Sequence, residues 1–398
     1  MVIAVALGLM SGTASPAESK PLKVFILAGQ SNMQGHANVS TLDSMADDPK
    51  TAPILKEMRN ADGTPRVCQK VWISSIGCLG DRWSDLNEQK GTLTAGFGAS
   101  TEEIGPEFTF GIYMEKLLGE PILLIKTSWG GRSLQRDFRS PSAGRCVPSD
   151  RSLAWIKQHN DDLEKIQARL DKETGVFYRH MIDHVRKVLA DIKRVVPEYD
   201  PKQGYELAGF VWFQGFNDMI DEWNYDRMKP GGYDLYSRLL EHFIRDVRKD
   251  LSAPKMPFVI GVRGIGGVKE GEKPPQSNFR QAQVAPMLLP EFQGNVVAVQ
   301  TAPYWDDDLD ALQQRMEKFN AKMDQEARKN PGLSRAAKDE AYKKAMSESF
   351  TPEELKRMKG ISNGGYHYLG AAKILAPIGK AFAEAVVDLQ KTQRQEKQ

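Results

Sequence analysis

Cysteine, histidine and long apolar runs are scarce in this chain, and each shortage removes a class of function. Three cysteines and six histidines are spread over 398 residues with no CxxC pair and no Cys/His ligand spacing, so no metal site is expected. No apolar run approaches the roughly 20 residues that cross a bilayer, which argues against membrane insertion. The formal net charge is only +2, with acids and bases interleaved in the same segments and no Lys/Arg stripe carrying aromatics, so neither nucleic acid nor an anionic membrane is implied as a partner. Internal repeats and long Pro- or Ser-rich linkers are missing too, and nothing in the pattern calls for an obligate protein partner. What remains, 40% hydrophobic and 27% charged residues, suffices to bury a large core.

The first residues break the pattern. Val2 to Met10 are continuously apolar or Gly, too few to span a bilayer, and small residues at Ser15 and Ala17 suit a signal peptidase. Residues 1–17 therefore read as a secretory signal for a secreted or periplasmic protein cut near Ala17, although the usual basic start is missing. In an oxidising compartment two of the three cysteines are expected to pair. A strand over 70–75, at about 3.3 Å per residue, would hold Cys68 and Cys78 well beyond the roughly 7 Å that a bridge tolerates. Cys78 and Cys146 both follow expected strands on one rim, and they are the expected disulfide.

From residue 21 to 391 strand and helix patterns alternate, as in an α/β fold whose parallel sheet is covered on both faces. Strands are expected over 24–28, 70–75, 121–126, 207–213, 258–263 and 295–300, and helices over 106–118, 176–195, 233–251, 279–289 and 371–389. Two segments read as insertions. Residues 134–173 are polar, loop-like and then helical, and are expected to shape the substrate entrance. Residues 306–359 are charge-rich and helical, broken at Asn330-Pro-Gly332, with a capping sequence Thr351-Pro-Glu-Glu354 before the last helix.

Four stretches end strands or open helices and can meet on one rim. Lys23 to Ala28 runs into Gly29-Gln30-Ser31-Asn32-Met33, a sharp turn that delivers one hydroxyl where parallel sheets place their chemistry. The others are Trp129-Gly130-Gly131, Phe213-Gln214-Gly215-Phe216-Asn217-Asp218, and Ser362-Asn-Gly-Gly-Tyr-His367 before the final helix. Acyl transfer needs such a set: a hydroxyl nucleophile, an imidazole base, and preplaced N–H donors for the developing oxyanion. Ser31 and Gly130 can supply backbone donors, and Gln214 or Asn217 a side-chain amide.

These four blocks resemble those of the SGNH hydrolases, in particular the sialate O-acetylesterase and acetylxylan esterase branch. The resemblance implies a flavodoxin-like three-layer α/β/α sandwich and removal of acetyl esters from carbohydrates, without metal or cofactor. Carried over by position, it makes Ser31 the nucleophile, His367 the base, and Ser31, Gly130 and Gln214 the oxyanion donors. Two positions depart from the pattern. The branch usually has Glu after Gln-Gly, where Phe216 stands, and other SGNH enzymes have Asp three residues before the histidine, where Gly364 stands. The triad acid is thus unassigned. Asp218, two residues past Phe216, is the candidate, and a Ser–His dyad braced by a backbone carbonyl is the alternative.

Gln30, Asn32, Trp129 and Phe216 are expected to face substrate, with core packing an equal account of Trp129. Trp223 is a further aromatic able to stack on a sugar ring. His180 and His184, four apart on a helix, are expected on a solvated face, and His36 is expected to pack in its loop. The alternatives to an O-acetylesterase are a weakly active glycan-binding module of the same fold and a short-chain esterase for a non-carbohydrate ester.

Overall fold

A computed structural model describes residues 20–78 and 86–395. Its centre is a strand, β1 (Leu22–Gly29), whose alternate residues face opposite ways. Phe25 and Leu27 enter one core cluster, whereas Val24, Ile26 and Ala28 enter another, so both faces of the sheet are covered. Such a strand reads as a continuous apolar run because neither face meets water.

Among the described residues the other strands of its sheet are β2 (Val71–Ile76), β3 (Gln89–Thr92), β4 (Ile122–Ser128), β5 (Tyr205–Phe213), β6 (Phe258–Val262) and β7 (Val296–Gln300). They form one seven-stranded sheet in the order β3-β2-β4-β1-β5-β6-β7, parallel except for β3. With β2 and β3 set aside, the remaining order is 2-1-3-4-5, the flavodoxin-like arrangement, and β1 lies at the point where the order reverses. The site is therefore expected at the C-terminal end of β1.

Helices α1 (Pro106–Leu118) and α10 (Ala372–Gln395) cover the face holding Phe25, while α4 (Val176–Ala190) and α5 (Asp234–Asp250) cover the other. In α4 the stripe Phe177, Met181, Ile182, Val185 and Val188 is buried, each large side chain adding about 1.5–3 kcal/mol of apolar burial. Helix α6 (Gln276–Val284) follows β6. The segment 134–173 carries α2 (Asp150–His159) and α3 (Leu163–Glu173). Residues 307–358 form α7 (Asp307–Lys329), α8 (Arg335–Ser349) and α9 (Pro352–Met358), the last opened by a full Thr351/Glu354 capping box. No described helix is long and apolar enough to cross a membrane.

Several expectations need correction. The helix over 176–195 ends at Ala190 and continues as a short 3-10 turn, and the edge strand β3 goes unread because Gln89-Lys-Gly-Thr92 has no apolar residue. His184 is buried, not solvated: its Nε2 meets Ser74 Oγ at 3.0 Å, and burial pushes the imidazole down to about 4. Cys68, Cys78 and Cys146 are all free thiols. Cys78 lies by Ser75 and Ser128 at the ends of β2 and β4, while Cys146 accepts from Gln135 Nε2 at 3.2 Å. After β4 the chain turns toward β5, which stands three strand spacings, about 14 Å, from β2. That turn carries Cys146 away from Cys78. The expected signal segment lies outside the described residues.

Candidate active site

Ser31 opens a single helical turn, Ser31–Gln34, directly after β1. The turn is tightly seated. A Cβ on Gly29 would stand 2.2 Å from Phe213 O, so only glycine lets β5 approach there. Beneath the turn a buried lysine, Lys126, donates to Gln34 O, Phe97 O and the buried Glu107 carboxylate at 2.6–2.8 Å. Gly130 faces Ser31, since a Cβ built on it would lie 3.8 Å from Ser31 Cβ. Among the described residues, the N–H groups of Ser31 and Gly130 donate to no other main-chain group.

The amides beside Ser31 have orientations dictated by their neighbours. Gln30 Oε1 accepts from the N–H groups of Gly215 (3.1 Å) and Asn217 (3.4 Å), which leaves Gln30 Nε2 to donate to Asn217 Oδ1 at 2.8 Å. Asn217 Nδ2 is thereby turned outward, with no described acceptor. Gln30, expected on substrate, is instead a buried clamp between the turns after β1 and β5. Gln214 is committed as well: Nε2 donates to Arg132 O (3.0 Å) and to the Asp218 carboxylate (2.6 Å), and Oε1 accepts from Tyr236. With both amide protons engaged, Gln214 has no donor to offer an oxyanion.

Asp218 is not brought to His367. Its carboxylate accepts from Leu134 N, Gln135 N, Gln214 Nε2 and Tyr225 OH at 2.6–2.9 Å, and burial raises its pKa to about 6 against those donors. It ties the start of the 134–173 segment to the helical turn Phe216–Ile220.

On the other side, His367 stands in an irregular turn, 365–370, in which Tyr368 and Leu369 adopt positive φ of 52° and 62°. Such conformations cost about 1–3 kcal/mol in a bulky residue. Full burial of both side chains opposes that cost, as does the Tyr368 hydroxyl, which accepts from Gly264 N and contacts Thr301 Oγ1. Asn363 supplies what the motif positions lack. Its Oδ1 accepts from Gly364 N at 2.8 Å and lies 3.0 Å from His367 Nδ1. Because that oxygen is an acceptor, Nδ1 must carry the proton, and Nε2 is left with its lone pair free.

His36, from the segment after Ser31–Gln34, stacks flat on His367 with ring centroids 3.9 Å apart and planes 5° apart. Glu103 lies 3.7 Å from His36 Nδ1, and that histidine holds the Glu103 carboxyl below its usual range. Ser362 Oγ donates to Gly370 O and contacts His36 O and Asn38 N, which pins the His367 loop to the chain leaving Ser31. Burial first, then His36, push the His367 imidazole down to about 3. No hydrogen bond joins Ser31 to His367 among the described residues, and contacts of this kind commonly tighten only around substrate.

The remaining expected residues divide. Trp129 is core, packed against Phe138 and Phe177. Asn32 is buried, with Oδ1 unpartnered. Phe216 is half-buried between Tyr366, at a centroid distance of 6.2 Å, and the Arg263 guanidinium, 5.7 Å from its ring. Asn363 and Glu103 are the residues that motif reading misses. A polar carbonyl four residues before the histidine signals the first, whereas nothing local signals the second. A cleft of about 770 Å³ lined by Tyr113, Trp305, Asp306 and Lys373 contains neither Ser31 nor His367.

The hydroxyl turn of Ser31 thus stands at the reversal point of a parallel sheet covered on both faces, beside the N–H groups of Ser31 and Gly130 and within a fold that also carries an imidazole oriented by Asn363. The chain belongs to the carbohydrate esterase, sialic acid-specific acetylesterase family, whose sequence model matches residues 21–310. Two solved structures are similar. One, a protein from Arabidopsis thaliana, is 17% identical and covers 72% of this chain and 89% of that one at a TM-score of 0.39. The other, a carbohydrate acetylesterase from Xanthomonas citri, is 14% identical and covers 71% and 51% at a TM-score of 0.41. No curated protein matches the chain.

Proposed function

We propose that this protein removes O-acetyl groups from sugars or polysaccharides by covalent catalysis through Ser31, after the Val2–Met10 segment has directed it out of the cytoplasm. Ser31 Oγ attacks the acetyl carbonyl carbon as its proton passes to His367 Nε2. The carbonyl oxygen becomes an oxyanion held by the N–H groups of Ser31 and Gly130 and by Asn217 Nδ2. Collapse breaks the ester bond, the sugar oxygen leaves with the proton from His367, and acetyl-Ser31 remains. Water then attacks the acetyl group, gives its proton to His367, and a second collapse releases acetate and restores Ser31.

The observation that carries this reading is the locked tautomer of His367. Asn363 Oδ1, already facing an N–H, keeps the proton on Nδ1 and the lone pair on Nε2, the role an acidic triad member fulfils elsewhere. Glu103, acting across His36, is the nearby carboxylate that stabilises the imidazolium when His367 accepts the proton. Acetate release from acetylated xylan and from O-acetylated sialic acid, measured for the wild type and for Ser31→Ala, tests the proposal. The wild type should release acetate from at least one and the variant from neither. Release by Ser31→Ala above about a tenth of wild type would remove Ser31 as nucleophile.

A further inference from the structure

We infer that Trp155 and Trp223 form a stacking subsite for a pyranose ring of the carbohydrate substrate, beside the acyl-transfer site. The inference rests on the reading of the protein as a carbohydrate deacetylase. Both indoles are exposed, 42% and 44%, yet neither is loose. Their rings meet edge to face, 6.1 Å apart at 79°, and His159 backs Trp155 at 4.2 Å while its Nδ1 reaches Trp155 O at 2.9 Å.

The two residues come from different parts of the chain. Trp155 is on α2 in the 134–173 segment, and Trp223 is in the loop after Phe216–Ile220. Ser149, the N-cap of α2, donates to Trp223 O, and Arg151 donates to Glu222 O and pairs with Asp226 at 3.2 Å. Within the loop, Asp221 Oδ1 accepts from Trp223 N and Asn224 N at 2.9 and 3.0 Å, and Gln135 Nε2 reaches Asn224 Oδ1 at 3.3 Å. Gln135 is the residue whose N–H binds Asp218. The platform is thus tied to the wall that carries Asn217, and the six residue steps from Asn217 to Trp223 reach at most about 22 Å.

Size and charge select the occupant. Two indoles at this exposure present about 200 Å² of apolar surface, far below the roughly 1,000 Å² a protein interface needs. Arg151 and Arg227 are balanced by Asp226 and Glu222, so the surround has no net charge to draw nucleic acid or an anionic membrane. A pyranose matches both features. Its C–H face is a small apolar plane carrying partial positive charge, suited to the negative face of an indole, and its edge hydroxyls find carboxylate and guanidinium partners at the rim.

The test uses the full chain with Trp155→Ala and Trp223→Ala combined. On acetylated xylan or O-acetylated sialyl oligosaccharide the double variant should raise KM about tenfold while kcat/KM for 4-nitrophenyl acetate stays within about twofold. An unchanged KM on both glycans would overturn the subsite. Were the wild type to release no acetate, the deacetylase reading would fall, and tryptophan fluorescence titration with the same glycans would still decide the platform. A saturable change lost in the double variant supports it, and no saturable change rejects it.

Discussion

On the proposed oxyanion side of Ser31, Gln30 and Gln214 are held by main-chain and buried side-chain partners at the end of a regular strand, whereas on the proposed base side His367 rides an irregular turn positioned by a few side chains. Gln30, Gln214 and Asp218 each bridge two or more elements and are buried. The proposed base, His367, instead depends on Asn363, on the stack with His36, and on the anchoring of Tyr368 and Ser362. In the proposed mechanism the sheet preplaces the donors that must not move, while the group proposed to shuttle the proton is oriented by contacts that single substitutions can remove. Loss of function without loss of fold is expected mainly on the base side.

The largest expected effect is that of His367→Ala, which should lower kcat on a small acetyl ester by about 10³–10⁴. Its melting temperature should stay close to wild type, because the turn is anchored by Tyr368 and Leu369; retention of a tenth of the activity would move the base elsewhere.

On the oxyanion side two neighbouring amides should behave oppositely. Asn217→Ala should cost about 10²–10³ in kcat with the fold intact. Gln214→Ala should show first as lost stability, about 1–3 kcal/mol, because it removes the amide that donates to Arg132 O, one of the four donors to the buried Asp218 carboxylate, and the side-chain acceptor of Tyr236 OH. Denaturant melts alongside kcat separate the two, and the reverse pattern would exchange their roles.

A smaller effect is expected at Asn363. Replacement by Ala frees the imidazole to flip and should cost about a hundredfold, below the roughly 10⁴ seen when a triad acid is made wrong for its tautomer. Asn363→Asp keeps an acceptor toward Nδ1 and should recover most of the rate, with the acid limb of kcat/KM moved to higher pH by the added negative charge.

The smallest effect concerns pH. Burial disfavours the imidazolium, so His367, lowered to about 3, stays neutral from pH 4 upward, and kcat/KM should fall only as pH drops through about 3. Neutral in the fold but titrating near 6.5 when unfolded, this group adds stability that is complete above pH 6.5 and is lost as pH falls toward 3. Glu103→Gln removes a charge favouring the imidazolium and should shift the limb lower still, with less than a tenfold change in rate. A wild-type limb near pH 6.5 would contradict the buried setting of the base.

The six parallel strands were legible because each is a short apolar run bounded by turn residues, and the four rim blocks were legible because Gly-flanked polar residues ended those runs. What stayed hidden depended on neighbours distant in sequence. Gln214 and Asn217 look alike in the chain, and only the donors around Gln30 and Asp218 decide which amide is spent internally. Asp218 has the right chemistry for a triad acid, but Leu134 and Gln135 fold back onto it from some eighty residues away. Glu103 reaches the site on a two-residue ladder, Ala37–Asn38 against Glu103–Ile104, too short to leave a periodic trace.

The central claim, that Ser31 is the nucleophile activated by a preoriented His367, is tested most directly by reacting the protein with a fluorophosphonate and mapping the adduct by peptide mass spectrometry. The account predicts one adduct, on the peptide carrying Ser31, formed at least about a hundredfold more slowly in His367→Ala. An adduct on another residue, or equal labelling of Ser31 with and without His367, would contradict it.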